Sequence, residues 1–284
     1  MGKRVRWLWL AVIVFPFAGM AAEVSEDSTM QVDVPPAAEI IPRHSLLQDR
    51  FRFIAGGFYP TSTTTARLDG NTGLGFEINF EDSLGLEDKK LIAETSMRWR
   101  FAEPWQLNIN YFSIKRSATR TLSQNVEWGD NSFTIGTEVD SLLKISDLRA
   151  AVGYSFFRRT DKELGLGLGL HTTGLKASIE ASGIGGETVD VSAPLPVLVI
   201  YSNMALTDAW AMSTRIDWLS LSYDNYDGDI RAVTMDFIYQ PFRHIGFGVG
   251  WHSLTIDLGL EKSDWRGYAR LAFQGPAAFM SVSF

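Results

Sequence analysis

Glu163-Leu164-Gly165-Leu166-Gly167-Leu168-Gly169-Leu170-His171 is the stretch whose reading decides the fold. Leucine takes every second position, with glycine and then histidine between. A period of two puts successive side chains on opposite faces of an extended strand. One face is therefore a leucine strip and the other is nearly bare backbone. A strand of a soluble sandwich also alternates, but its outer face must carry groups that suit water. A wall between lipid and a narrow lumen uses leucine on one side and glycine on the other. Ile245-Gly246-Phe247-Gly248-Val249-Gly250-Trp251-His252 repeats the same grammar.

Elsewhere the pattern continues with charges on the second face. Ala93, Thr95, Met97, Trp99 and Phe101 alternate with Glu94, Ser96, Arg98 and Arg100. Leu148, Ala150, Val152, Tyr154 and Phe156 alternate with Asp147, Arg149, Ala151, Gly153 and Ser155, and Trp210 to Trp218 carries Ser213, Arg215 and Asp217 on its other face. Aromatic residues gather at strand ends (Trp99, Phe101, Trp105, Tyr154, Phe156, Trp210, Tyr239, Phe242), the positions of interfacial girdles. The expected fold is all-β: a transmembrane antiparallel up-and-down barrel.

Composition is compatible with this reading. Hydrophobic residues make up 45% of 284 and mean hydropathy is -0.01, because a barrel wall needs apolar side chains only on alternate positions. There is no cysteine, which excludes disulfides, a lipid-bearing N-terminal Cys and thiol chemistry. Residues 1–22 have a basic start (Lys3, Arg4, Arg6), an apolar run from Trp7 to Phe17 and then small residues, as in a signal peptide. That run is short of the roughly 20 residues a spanning helix needs. Removing these three positive charges takes the net charge from -7 to -10, which argues against nucleic acid as a partner. Residues 23–48, with Pro35-Pro36, Pro42 and several acids but no alternation, read as a flexible periplasmic leader, and residues 49–284 as the barrel.

Short turns at Ala102-Glu103-Pro104, 159–162, Thr207-Asp208-Ala209 and Pro241-Phe242-Arg243 join four strand pairs. A first strand over Arg50–Pro60 and a last over Tyr268–Phe284 bring the count to ten. Twelve is the alternative, if Gly73–Phe80 spans on its own and Gly275-Pro276 is a turn. The long connections, expected as external loops, are about residues 61–89, 117–140, 177–191, 222–231 and 255–266.

The last strand sets Ala278, Met280, Val282 and Phe284 on one face. Alternation ending in a terminal Phe resembles the assembly signal of Gram-negative outer-membrane barrels. Phe76–Leu86, the turn Trp99-Arg100-Phe101-Ala102-Glu103-Pro104-Trp105 and the strand after it resemble the broad small-barrel group that includes OmpW-like proteins. The likeness covers the body from about residue 50. It implies an address in the bacterial outer membrane, with periplasmic chaperones, the barrel-assembly machinery, and outer-membrane lipid and lipopolysaccharide as partners. It brings no catalytic motif and no cofactor.

By strand parity Glu94, Arg98, Arg100, Asp147, Arg149, Arg215, Asp217 and Asp236 face the lumen, with His171 and His252. Buried charges must pair, and such a set is expected to fill a narrow barrel. His171-Thr172-Thr173 lacks the serine that a lipid hydrolase needs beside its histidine, and two histidines alone do not make a metal site. Outer-membrane aspartyl proteases need paired acids and an Asp-His dyad at the external rim, whereas Asp224, Asp227 and Asp229 have no histidine among them. Those acids read as a solvated loop, with calcium or magnesium as the other possibility. His44 and His244 read as incidental. The resulting expectation is a non-enzymatic barrel with a plugged lumen that binds through external loops. A narrow channel, and then a lipid A or phospholipid hydrolase, are the alternatives.

Overall fold

The computed structural model describes residues 43–69, 76–223, 226–261 and 266–284. The expected signal peptide and most of the leader lie outside them. In order, the elements are α1 (Ser45–Gln48), β1 (Phe51–Phe58), β2 (Thr61–Asp69), β3 (Ile78–Asn79), α2 (Phe80–Leu84), β4 (Ile92–Ala102), β5 (Trp105–Thr121), β6 (Val126–Trp128) and β7 (Asn131–Phe133). Seven long strands follow: β8 (Glu138–Arg158), β9 (Lys162–Ala181), β10 (Gly185–Ala205), β11 (Trp210–Tyr223), β12 (Tyr226–Tyr239), β13 (Ile245–Glu261) and β14 (Arg266–Ser283).

Neighbouring strands pair antiparallel in chain order, and β1 closes onto β14. β1 and β2 act as one interrupted strand. β1 pairs with β14 from Ala277 to Ser283, and β2 pairs with it from Arg266 to Gln274. The barrel therefore has ten strands. Gly275-Pro276 stays within β14, opposite the break at Tyr59-Pro60, and the Tyr59 N–H donates to the Pro276 carbonyl at 2.9 Å. A proline that need not donate to the ladder fits such an irregularity. Of the segment that twelve strands would require, the described part is two strand residues and a helical turn. No helix among the described residues is long and apolar enough to cross a membrane.

The outer wall is apolar in the half of the barrel nearer α1 and Phe284. Leu164, Leu166, Leu168 and Leu170 point outward there, Leu168 being 69% exposed, together with Val152, Phe156, Ile200, Phe237, Phe247 and Val249. Paired rings flank this band, Trp105 with Tyr154 and Trp210 with Tyr239. A contiguous exposed apolar belt of this kind is what lipid covers.

The half beyond the band, expected to face outside the cell, is built differently from expectation. Crossing an apolar core takes about 9–11 strand residues, yet β9 has 20 and β10 has 21. Beyond the band the two faces exchange character. On β9 the inward side chains become Leu175, Ala177 and Ile179, all buried, while Lys176 and Glu180 face out. On β8 they become Ile145, Leu143 and Val139, with Lys144 and Asp140 outside. The segments expected as loops at 177–191, 222–231 and 255–266 are therefore mostly strand. Ser182 to Ile184 is all that separates β9 from β10, and Gly183 and Gly185, at φ 81° and 91°, make so tight a turn possible. Likewise 61–89 holds β2, β3 and α2, and 117–140 holds the ends of β5 and β8 with the β6–β7 hairpin.

Candidate functional site

The lumen is layered. At the end nearest the termini, α1 lies across the opening. His44 caps it, its Nδ1 accepting from the Leu46 N–H at 3.0 Å. Arg100 donates to the Leu46 carbonyl at 3.0 Å and Arg158 to the Leu47 carbonyl at 2.9 Å. Ser45 Oγ donates to Gln240, and Leu46 packs with Ala211, Ile238 and Phe279. His44, expected to be incidental, is fully buried. His244 sits at the rim, its Nδ1 2.7 Å from the Ser283 carbonyl and its ring stacked on Phe284.

Above this floor lies a group of buried arginines. Arg100 forms a two-pronged bridge to Glu163, at 2.6 and 2.7 Å, and Ser155 and Asn203 also donate to that carboxylate. Four donors thus converge on one buried carboxylate. Arg98 departs from the expectation that every lumen charge pairs. Its Nε and Nη2 have no hydrogen-bond partner, and it faces Arg52 and Arg100 as well as Glu163 and Asp49. Arg52 donates to Ser281 at 2.8 Å and leaves two nitrogens unpartnered. A cavity of about 160 Å³ opens above them, lined by Arg52, Arg98, Asn108, Asn203, Thr234 and Asp236 among others.

The remaining charges form two clusters at mid-barrel. His252 lies between two carboxylates, Nε2 3.0 Å from Asp236 and Nδ1 3.3 Å from Glu94, and Asn110 donates to Glu94 at 2.5 Å. His171 is bracketed likewise, Nε2 3.3 Å from Asp217 and Nδ1 3.6 Å from Asp147, the second beyond hydrogen-bond range. Arg149 bridges to Asp147 and Arg215 to Asp217, each at 2.8 Å, and Thr173 donates to Asp147 at 2.9 Å. The two histidines are held apart on separate carboxylate pairs, with Arg149 facing members of both clusters.

Over these clusters the lumen turns apolar. Ile145, Leu175, Leu254, Ile256, Leu271 and Phe273 fill it, and Phe112 meets Phe273 edge-on at 6.4 Å. α2 closes the top with Phe80 and Leu84, both fully buried. Trp128 of the β6–β7 hairpin stands edge-on to Phe80 at 5.7 Å. One charge enters this layer: Arg116, buried, bridges to Glu81 of α2 at 2.6 Å and donates to Thr64.

Glu94, Arg98, Arg100, Asp147, Arg149, Arg215, Asp217, Asp236, His171 and His252, expected in the lumen, lie on the strand faces opposite the exposed apolar side chains. Glu163, Arg52 and Arg116, not among the expected residues, are buried with them, and Glu163 has the parity of Gly165. Ala278, Met280, Val282 and Phe284 all turn outward, and Phe284 closes the ladder through two backbone bonds with Phe51. A serine hydrolase of the serine–histidine type holds its hydroxyl on an imidazole nitrogen. Among the described residues no serine hydroxyl hydrogen-bonds a histidine ring, and none of the four histidines lies at the external rim. No group of three or more His, Asp or Glu there is arranged to hold a metal ion. Of the acidic loop, Asp224 and Asn225 lie outside the described residues, and Asp229 bridges to Arg231 at 2.7 Å.

The closed ten-stranded antiparallel architecture with an outward apolar band defines a small membrane β-barrel. One solved structure shares this fold, and others match less closely. The outer-membrane protease OmpT of Escherichia coli is 9% identical and matches with a TM-score of 0.51 over 82% of this chain and 97% of that one. The toluene transporter TodX of Pseudomonas putida (9% identity, TM-score 0.34, 84% and 91% covered) and neisserial surface protein A (12%, 0.31, 82% and 97%) also match. At these identities the likeness is one of fold. No family model matches the chain, and no curated protein matches it in sequence.

Proposed function

We propose that this protein is an outer-membrane barrel with a closed lumen, and that it acts by binding at its external half rather than by passing solutes or by catalysis. The observation that carries the reading is double occlusion. α1 blocks one end through contacts to Arg100, Arg158 and Gln240, and an apolar core fills the other. Filling that core with a water column would strip close-packed side chains of their contacts, which cores resist. The outer-membrane address is supported by the apolar band and by the fold the chain shares with an outer-membrane protease. Because the strands run on past the band, the binding surface is a rigid strand-built wall with a small cap, not a set of long loops.

The reading is tested by reconstituting the purified protein in planar bilayers. Absence of steady conductance above leak is expected. It should persist in the Arg149→Ala/Arg215→Ala double variant, because the apolar layer above those arginines remains. Steady ion current through the wild type would replace the closed barrel with a narrow channel.

A further inference from the structure

The external half carries one feature that its own side chains leave unbalanced. On three consecutive strands, Lys115 of β5 stands opposite Lys144 of β8, and Lys144 stands opposite Lys176 of β9. All three are exposed and face outward. Residues directly opposite on one sheet face have Cβ atoms about 4.5–5.5 Å apart, and like charges so placed repel. Lys176 in turn stands opposite Asp190 of β10, its one ion-pair partner, at 3.9 Å. Lys115 and Lys144 have no ion pair among the described residues. Lys90 extends the row, its ammonium donating to the Lys115 carbonyl at 2.9 Å.

The far side of the barrel shows the ordinary solution. There Arg231 and Arg270 share Asp229 and Asp257, at 2.7 to 3.6 Å. Acids do occur above the lysines, where Asp140 stands opposite Glu180, but that row is two outward positions further from the band. A row of three facing lysines met by a single acid at its β10 end carries excess positive charge that an anion from outside can balance.

Its height above the apolar band indicates which anion. Counting outward residues up these strands, Tyr111, Leu148 and Thr172 make the last row with exposed apolar side chains, and Ser113, Ser146 and Gly174 make the next. The lysines follow. With strands tilted about 40° and rising about 3.4 Å per residue, the lysine backbone lies about 10 Å beyond Leu148. A lysine stem spans most of that distance, so its ammonium reaches the headgroup layer. The small residues between leave a shelf where a headgroup can rest.

We propose that Lys115, Lys144 and Lys176 form a binding site for the phosphate of an anionic membrane lipid at the external edge of the band. The proposal rests on the chain being a membrane barrel with its band in the bilayer. Three ammonium groups around one phosphate give it charge-assisted donors from three strands. Each lysine near an anionic surface contributes about fivefold in association.

The test reconstitutes the full barrel in phosphatidylcholine bilayers doped with spin-labelled phosphatidic acid or spin-labelled phosphatidylcholine, and measures the protein-bound fraction of each. At low salt the wild type should select phosphatidic acid by about tenfold or more. Lys115→Gln/Lys144→Gln/Lys176→Gln should remove most of that preference, and the corresponding triple arginine variant should keep it. Inorganic phosphate should displace the lipid no better than sodium chloride of equal ionic strength; selective displacement by phosphate would assign the row to a soluble anion and overturn the lipid assignment. A barrel that inserts normally but shows no selectivity, or keeps it in the glutamine variant, overturns the proposal alone. Failure of the wild type to insert in any bilayer overturns the membrane reading, and this proposal with it.

Discussion

His44 shows how one side chain couples the floor of the barrel to pH. Its Nδ1 accepts the Leu46 N–H, which only a neutral ring with that nitrogen unprotonated can do. Burial, and after it the guanidinium of Arg52, lowers its pKa from the ordinary 6.5 to about 4. Because the docked form has the lower pKa, the undocked form binds more protons between these values. Docking of α1 is therefore at full strength above pH 6.5 and weakens as pH falls towards 4. Hydrogen-exchange protection of the Leu46 and Leu47 amides, corrected for intrinsic rate, should follow that course. His44→Asn keeps a capping acceptor without the proton and should flatten it; the same pH dependence in both proteins would contradict the role given to His44. None of this was legible in the sequence, because a helix of four residues has no periodicity. The inward charges were legible, since parity fixes a face, but the partner of each was not. Glu94 and Asp236 are 142 positions apart by number, and only barrel closure brings both to His252.

At the scale of strands, the glycines that disclosed the fold acquire a packing role. Gly165 stands opposite Tyr201, whose ring lies over Gly165 and Gly153. In the second glycine strand, Phe279 of β14 covers Gly248. One glycine of each bare strip is thus covered by an aromatic ring from a neighbouring strand, the arrangement by which rings shield glycine in sheets. A Cβ on Gly165 would collide with the Tyr201 ring. Gly165→Ala is expected to cost about 1–3 kcal/mol, as overpacking does, read from the guanidinium midpoint of heat-modifiable gel mobility. The cost should shrink in a Tyr201→Leu background, and an equal cost in both would show that the ring is not the obstacle. The glycine pattern was readable, whereas the covering ring depends on register. The external strand ends were readable too: Leu175, Ala177 and Ile179 still alternate with Lys176, Ser178 and Glu180. They pass for loop if the lipid-facing side is assumed to stay apolar along the whole strand, since past the membrane the alternation reverses its sense.

For the whole molecule, that reversal joins a membrane barrel to a water-exposed barrel through one continuous sheet. In the band, lipid covers the apolar face and the lumen holds paired charges. Beyond it the apolar residues turn inward to make a core of the soluble kind, with α2 and the β6–β7 hairpin as its cap. Strand β9 crosses both regimes, and the absence of native cysteine allows a spin label at any single position. The most direct test places labels one at a time at the outward positions from Leu164 to Glu180 in reconstituted bilayers, and compares collisions with oxygen, which concentrates in lipid, and with a water-soluble nickel chelate. Leu164, Leu166, Leu168 and Leu170 should favour oxygen, with a single crossover near Thr172 and nickel accessibility at Lys176 and Glu180. Oxygen-dominated collisions along the entire strand, or nickel access at the leucines, would contradict the account.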